Sequence, residues 1–342
     1  MKETDTLKIL SEKYDWSIYN TTVLKSGLIN QTIKVETKHN SYIVQQINKH
    51  VFKNPQAIDN NITHIGAFLN TNFPNYSFIK LVPCKHGNTL HLIENNYFRV
   101  FELVKNSKTI EAVENEHQAF EAANKFGEFT ALLKHFPTKQ LQTTLPNFHN
   151  LSLRYNQFLS ALKNGNKSRI VQCNDLIKTI ENNTIICKKF EHFISNKNAL
   201  QRVTHHDTKI SNVLFNEDNH AICVIDLDTV MPGYFLSDVG DMIRTYVSPT
   251  TEEDDNFDKI FVRKEFLQAI KEGYLQHMKV ALTPFEMEHF FFSGEALIYM
   301  QALRFLTDYF NNDVYYTTTY KEQNFIRATN QLTLLKQLQI NT

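Results

Sequence analysis

Two polar stretches on either side of an apolar hairpin constrain this chain more than anything else in it. The first, Val203-Thr204-His205-His206-Asp207-Thr208-Lys209-Ile210-Ser211-Asn212, runs into Val213-Leu214-Phe215. The second, Asp226-Leu227-Asp228, ends the apolar run Ala221-Ile222-Cys223-Val224-Ile225. Both apolar runs have strand composition and lie within one hairpin's length of each other, so they read as a strand pair. Pairing them returns Asp226 to the neighbourhood of Asn212. Aspartates that merely turn the chain at a strand end are the plainer alternative.

Other strand signals gather near the N-terminus. Ile33-Lys34-Val35-Glu36 and Tyr42-Ile43-Val44 flank the turn Lys38-His39-Asn40, the pattern of a hairpin, and Tyr97-Phe98-Arg99-Val100-Phe101 reads as a further strand. Asn54-Pro55 supplies an N-cap and a first-turn proline, and Ile58, Ile62, Ile65 and Leu69 follow at helical spacing. Beyond Val104 the pattern is mainly helical. Ala119, Phe120, Ala123, Phe126, Phe129, Leu132 and Leu133 form one apolar face ending near Pro137. Thr283-Pro284-Phe285-Glu286 has the form of a capping box, opening a helix expected to carry Phe290, Leu297 and Phe305. A length of 342 residues exceeds what one core usually supports and predicts two lobes.

The chemistry follows from the spacing His205-x-Asp207-x-x-x-x-Asn212. Phosphoryl transfer asks a protein for an oriented hydroxyl, neutralised phosphate charge and bridging metal ions. Asp207 suits the acceptance of the hydroxyl proton, and the amide oxygen of Asn212, with Asp226, suits Mg²⁺, which prefers few, hard oxygen ligands. His205 is expected to brace the loop, and Lys209 to place a charge beside the transferred group. Asp228 is a second metal ligand, an acceptor-orienting group or a solvated strand end. Lysine plus arginine equals aspartate plus glutamate, 36 of each, so no overall field attracts nucleic acid or anionic membrane. Cys84, Cys173, Cys187 and Cys223 stand too far apart for a C-x-x-C site, and no signal-peptide or membrane-spanning stretch occurs, which makes a reducing, cytoplasmic setting the expectation. The fourteen histidines suggest no metal site, His205 and His206 being adjacent. The acidic run Glu252-Glu253-Asp254-Asp255 reads as a solvated loop.

Several segments together resemble the aminoglycoside phosphotransferase and choline kinase superfamily and, within it, the N-acetylhexosamine 1-kinase subfamily. They are Ser26-Gly27-Leu28-Ile29-Asn30-Gln31-Thr32, Tyr42-Ile43-Val44-Gln45-Gln46-Ile47-Asn48, Arg99-Val100-Phe101-Glu102, Leu145-Pro146-Asn147-Phe148-His149, the loop from His205 to Asn212, Ile225-Asp226-Leu227-Asp228-Thr229-Val230-Met231-Pro232-Gly233, and Arg304-Phe305-Leu306-Thr307-Asp308-Tyr309. The resemblance implies an α+β, two-lobed protein-kinase-like fold. Residues 1–104 would form a small β-rich N-lobe with one helix, binding nucleotide and ending in the hinge. Residues 105–342 would form a larger, mainly helical C-lobe with the catalytic loop and acceptor site. It further implies ATP- and Mg²⁺-dependent phosphorylation of the anomeric hydroxyl of an N-acetylhexosamine, with choline, an aminoglycoside or another small alcohol as alternative acceptors.

On the same resemblance, Gly27 and Gln45 would approach the phosphates, and Phe101, Glu102 and Leu103 would offer backbone groups to adenine. The segment holding Asp238, Asp241 and Arg244 would anchor the catalytic loop and line the acceptor pocket, which Arg304 and Tyr315 would complete. Arg304 is otherwise a surface arginine, and packing is the simpler reading of Tyr315. The departures are specific. Nine glycines include no G-x-G, Gln45 stands where protein kinases carry a phosphate-binding lysine, and the helix after Asn54 has no glutamate to pair with one. An inactive, nucleotide-binding pseudokinase is the reading these losses permit.

Overall fold

A computed structural model describes residues 3–24 and 29–342. The N-lobe is a five-stranded antiparallel sheet of β1 (Ile18–Leu24), β2 (Gln31–Thr37), β3 (Ser41–Ile47), β4 (Leu90–Ile93) and β5 (Asn96–Glu102), ordered β1-β2-β3-β5-β4. The polar turn 38–40 joins β2 to β3, as their flanking apolar runs predict. Side-chain alternation then divides the sheet. Val44, Phe98 and Val100 face α1 (Glu3–Tyr14), where Leu7 and Leu10 complete a small core. Ile47 and Phe101 belong to the larger core, shared with Ile58, Ile62, Ile65 and Leu69 of α2 (Pro55–Asn72). By the two-residue period, Gln45 and Arg99 lie on this second face. Asn54 caps α2 as expected, its side chain accepting from the Ala57 N–H at 3.2 Å. The N-lobe therefore has two helices, not one. Leu7, Leu10 and Tyr14 of α1 stand at helical spacing, the signal that would have shown it.

The C-lobe is helical around one long buried element. Its helices are α3 (Glu116–Leu132), α4 (Leu151–Asn164), α5 (Lys167–Gln172), α6 (Asn174–Asn182), α7 (Ile185–Ser195), α8 (Phe235–Tyr246), α9 (Lys264–Met278), α10 (Pro284–Glu288), α11 (Phe292–Phe310) and α12 (Gln323–Asn341). The capping box at Thr283 forms, but the helix it opens stops at Glu288 and resumes as α11. Phe290, Phe291 and Phe292 are successive residues seeking burial, and three neighbours cannot share one helical stripe. Two small sheets carry the polar stretches. β6 (Lys108–Thr109), β8 (Val213–Phe215) and β9 (Ala221–Val224) form one, and β7 (Arg202–Thr204) pairs with β10 (Met231–Gly233) in the other. No described helix is long and apolar enough to cross a membrane.

Candidate active site

The loop from His205 to Asn212 is fastened to α8. Asp238 accepts the backbone N–H of His205 at 3.1 Å and of His206 at 2.7 Å, one on each oxygen. One turn on, Asp241 accepts the N–H of Thr208 at 2.8 Å, and the Tyr246 hydroxyl donates to the Thr208 carbonyl at 2.6 Å. Burial pushes the Asp238 carboxyl up to about 7 against those two donors. His205 is fully buried; its Nε2–H donates to the Ile225 carbonyl at 3.0 Å, and Nδ1 accepts the Asp207 N–H at 3.3 Å. Burial lowers its pKa, which keeps the ring neutral for both bonds. The histidine thus ties this loop to the end of β9.

Around Asp207 the side chains converge. The Asn212 amide donates to the Asp207 carbonyl at 2.8 Å and to its Oδ2 at 2.9 Å, while Lys209 Nζ lies 3.3 Å from the same oxygen. With the amide nitrogen so occupied, Asn212 offers Oδ1 as a hard oxygen ligand. The Ile225 N–H donates to the Asn212 carbonyl at 2.9 Å, and the next residue, Asp226, turns through a left-handed conformation at φ 56°. Burial first, then Asp228 and Asp207, push the Asp226 carboxyl up to about 7. Lys209 is held above its usual range because Asp207, Asp226 and Asp241 outweigh its burial. Two hard-oxygen donors in a pocket of mutually repelling carboxylates fit a Mg²⁺ ion.

Asp228 is engaged with the N-lobe. Arg99 Nη2 lies 2.5 Å from it and Asn30 Nδ2 donates to it at 2.7 Å; both Asp228 and Arg99 side chains are 1% exposed. This excludes the solvated strand end. Arg99 also donates to Gln45 Oε1, from Nε at 3.1 Å and Nη2 at 2.8 Å, as their opposed places on β5 and β3 allow. Gln45 Nε2 donates to Thr32 Oγ1 at 3.3 Å. A positive charge thus stands on β5 beside Gln45, and among the described residues the buried Arg99 Nη1 has no hydrogen-bond partner. On α2, where glutamate is missing, Asp59 is buried; that burial raises its pKa, while the Thr89 hydroxyl at 2.9 Å and the charge of Arg99 pull it back. Phe101 is buried, Glu102 is exposed, and the Leu103 N–H is taken by the Ser41 carbonyl at 3.0 Å. Gly27 lies outside the described residues.

On the other side of Asp207 is a cavity of about 60 Å³ lined by Asp241, Arg244, Gln301 and Arg304. Arg244 pairs with Asp241 at 2.9 Å and with Glu252 at 3.0 Å. Glu253 pairs with Arg327 at 2.5 Å, so the first half of the acidic run is structural and not merely solvated. Arg304 hydrogen-bonds Gln301 at 3.1 Å and lies 5.5–5.9 Å from the rings of Phe148, Tyr315 and Tyr316; it forms no ion pair among the described residues. Tyr315 is 70% exposed, which overturns the packed alternative. A second cavity of about 390 Å³, lined by Arg154, Gln157, Arg304, Asp308 and Tyr315, adjoins at Arg304.

The expected residues thus form three groups: Asp207, Lys209, Asn212 and Asp226 with His205 behind them; Gln45 with Asp228 through Arg99; and Arg244, Arg304 and Tyr315 at the far side. Sequence reasoning assigned no role to Arg99, Asp59, Arg154 or Asn30. A lone cation in the apolar run Tyr97–Phe101 was the one legible sign. A family model described as "Phosphotransferase enzyme family" matches residues 20–279. Similar solved structures include "Amicoumacin kinase hAmiN in complex with AMP-PNP, Ca2+ and Ami" at 14% identity and TM-score 0.64, covering 98% of this chain and 94% of that one. The microcompartment-associated aminopropanol kinase is similar at 16% identity and TM-score 0.65, covering 98% and 97%. Choline kinase LicA from Streptococcus pneumoniae follows at 14% and 0.54, covering 96% and 99%. At such identities the likeness is one of fold.

Proposed function

Because this chain belongs to the phosphotransferase enzyme family, whose model spans most of its length, we propose that it transfers the γ-phosphoryl group of ATP to the anomeric hydroxyl of an N-acetylhexosamine. Residues 1–104 would hold the nucleotide and residues 105–342 the acceptor. Asp207 takes the acceptor's proton as its oxygen bonds to the γ-phosphorus; the bond from that phosphorus to the β–γ bridging oxygen breaks, releasing ADP. Lys209 sits beside the base with its charge secured by three carboxylates. Asn212 Oδ1 and Asp226 would hold Mg²⁺, which neutralises phosphate charge when bound. Arg99 brings to the nucleotide side the cation that Gln45 lacks, and this supports an active enzyme over a pseudokinase.

One observation carries the acceptor class: beyond Asp207 stand arginines, including Arg304 with no ion pair among the described residues. Arg244 is balanced by Asp241 and Glu252, so Arg304 is the charge that disfavours a cationic acceptor such as choline or an aminoglycoside, whereas a neutral sugar finds donors and aromatic faces. The test is ADP release over a panel of N-acetylhexosamines, choline and aminoglycosides, with phosphorus NMR of the product. We expect an anomeric phosphate, and Asp207→Asn should lower kcat by about 10²–10⁴-fold. Choline turnover exceeding that of every sugar, or a 6-phosphate product, overturns the acceptor assignment. Near-normal kcat in Asp207→Asn removes that residue as base.

A further inference from the structure

Away from the cleft, three potential metal ligands meet where the β8–β9 turn touches α3. His117 and Glu121 stand four residues apart on that helix, the spacing that sets two side chains one above the other on one face. His220, at the end of the turn after β8, reaches the same place. One donor atom from each of the three lies within 4.8 Å of the others. His220 Nδ1 is 3.5 Å from Glu121 Oε2, and the two imidazoles meet edge to face with centroids 5.5 Å apart. Ligands about 2.0–2.1 Å from a tetrahedral ion are about 3.4 Å from one another, so the carboxylate and the imidazole already have the separation of two groups on one metal.

The ligands are also held in place, as a site requires. Glu121 Oε2 accepts the Ala221 N–H at 2.9 Å, which fixes the carboxylate. Asn216 clasps the turn twice: its N–H donates to the His220 carbonyl at 3.0 Å and its Oδ1 accepts the His220 N–H at 2.9 Å. Asn219 takes the left-handed conformation between them. Two imidazoles and one carboxylate are a donor set for zinc-class ions and a poor one for Mg²⁺.

We propose that His117, Glu121 and His220 form a binding site for a divalent transition ion of the zinc class, with water in the fourth position. Occupancy would pin the β8–β9 turn to α3, and that hairpin carries Asn212 just before β8 and Asp226 just after β9. The adjacency of His205 and His206 is no guide to this site, because its third ligand comes from a distant turn.

The experiment uses the full chain, freed of metal by chelation and kept in excess Mg²⁺ so that hard-oxygen sites are filled. Zn²⁺ is titrated against a chromophoric chelator, and thermal unfolding is followed with and without it. The wild type should take up one equivalent of Zn²⁺ that the His117→Ala/His220→Ala variant does not, and only the wild type should gain Tm from it. Both histidines are exposed, so the variant should match the wild type in circular dichroism and metal-free Tm. Equal Zn²⁺ uptake and equal Tm response in the two proteins overturn the site, whatever the outcome of the kinase assays. A Glu121→Gln variant should lower the affinity at least about tenfold while keeping both histidines.

Discussion

His206 adopts a left-handed backbone at φ 69° within the loop from His205 to Asn212, and its side chain is buried where a charge has no place. Ser237 joins it to His149: Nδ1 of His206 is 2.8 Å from the hydroxyl and Nδ1 of His149 contacts the same atom. One hydroxyl between two rings donates to one and accepts from the other, so the ring that takes its proton is neutral at Nδ1. Burial pushes His206 down to about 3 and His149 in the same direction. The unfolded chain binds a proton near pH 6.5 that the folded one refuses, so this stability is present above about 6.5 and is lost as pH falls towards 3. Between pH 7 and pH 5, His206 alone should cost about 2 kcal/mol. Urea unfolding at the two pH values should show that loss reduced in His206→Asn, since asparagine tolerates the same backbone and does not titrate. An equal loss in both proteins would exonerate the histidine. None of this is legible in the sequence, where His205 and His206 look alike. Their opposite duties arise because successive residues point different ways from a loop whose partners lie on β9 and α8.

Elements tell a different story, because caps and periodic faces are local. The β2–β3 hairpin, the Asn54 cap and the Thr283 capping box were all readable, each resting on residues only a few positions apart. Where tertiary packing decides, the pattern misleads: α10 and α11 part at three successive phenylalanines. The contact that positions the proposed catalytic loop is equally hidden. Gly240 lies between Asp238 and Asp241 on α8, and a Cβ there would stand 2.3 Å from the Ser293 carbonyl and 2.7 Å from Leu297 on α11. Backbone oxygen cannot move aside as a side-chain tip can, so Gly240→Ala must push α8 away from α11. Overpacking of this kind costs about 1–3 kcal/mol. The same shift carries Asp238 and Asp241 off the loop they hold, so kcat should fall by more than KM for ATP rises. A Gly240→Ala enzyme with lowered Tm and unchanged kcat would show that the loop does not depend on α8 for its shape.

At the scale of the whole molecule, the two lobes meet through charge as well as through apolar packing. Asn61 of α2 donates to the Gln142 and Val230 carbonyls at 2.8 and 2.9 Å, and Asp228 sits between Arg99 and Asn30. Length alone predicts two lobes, but residues so far apart in the chain give no sign of which pair closes them. Removing one member of a buried ion pair leaves the other unpaired and typically costs about 3–5 kcal/mol, whereas removing both charges costs far less. Arg99→Gln should therefore destabilise strongly, and adding Asp228→Asn should restore much of the lost Tm. Function should separate from stability in this cycle. Arg99 is the cation we place at the nucleotide, so its loss should raise KM for ATP at least about tenfold in the single and the double variant alike, the worth of one charged hydrogen bond. If the double variant regains both Tm and ATP affinity, the arginine is a strut between lobes and the phosphates are held by Lys209 and the metal alone. If it regains only Tm, the charge moved from β3 to β5 has kept its place at the phosphates.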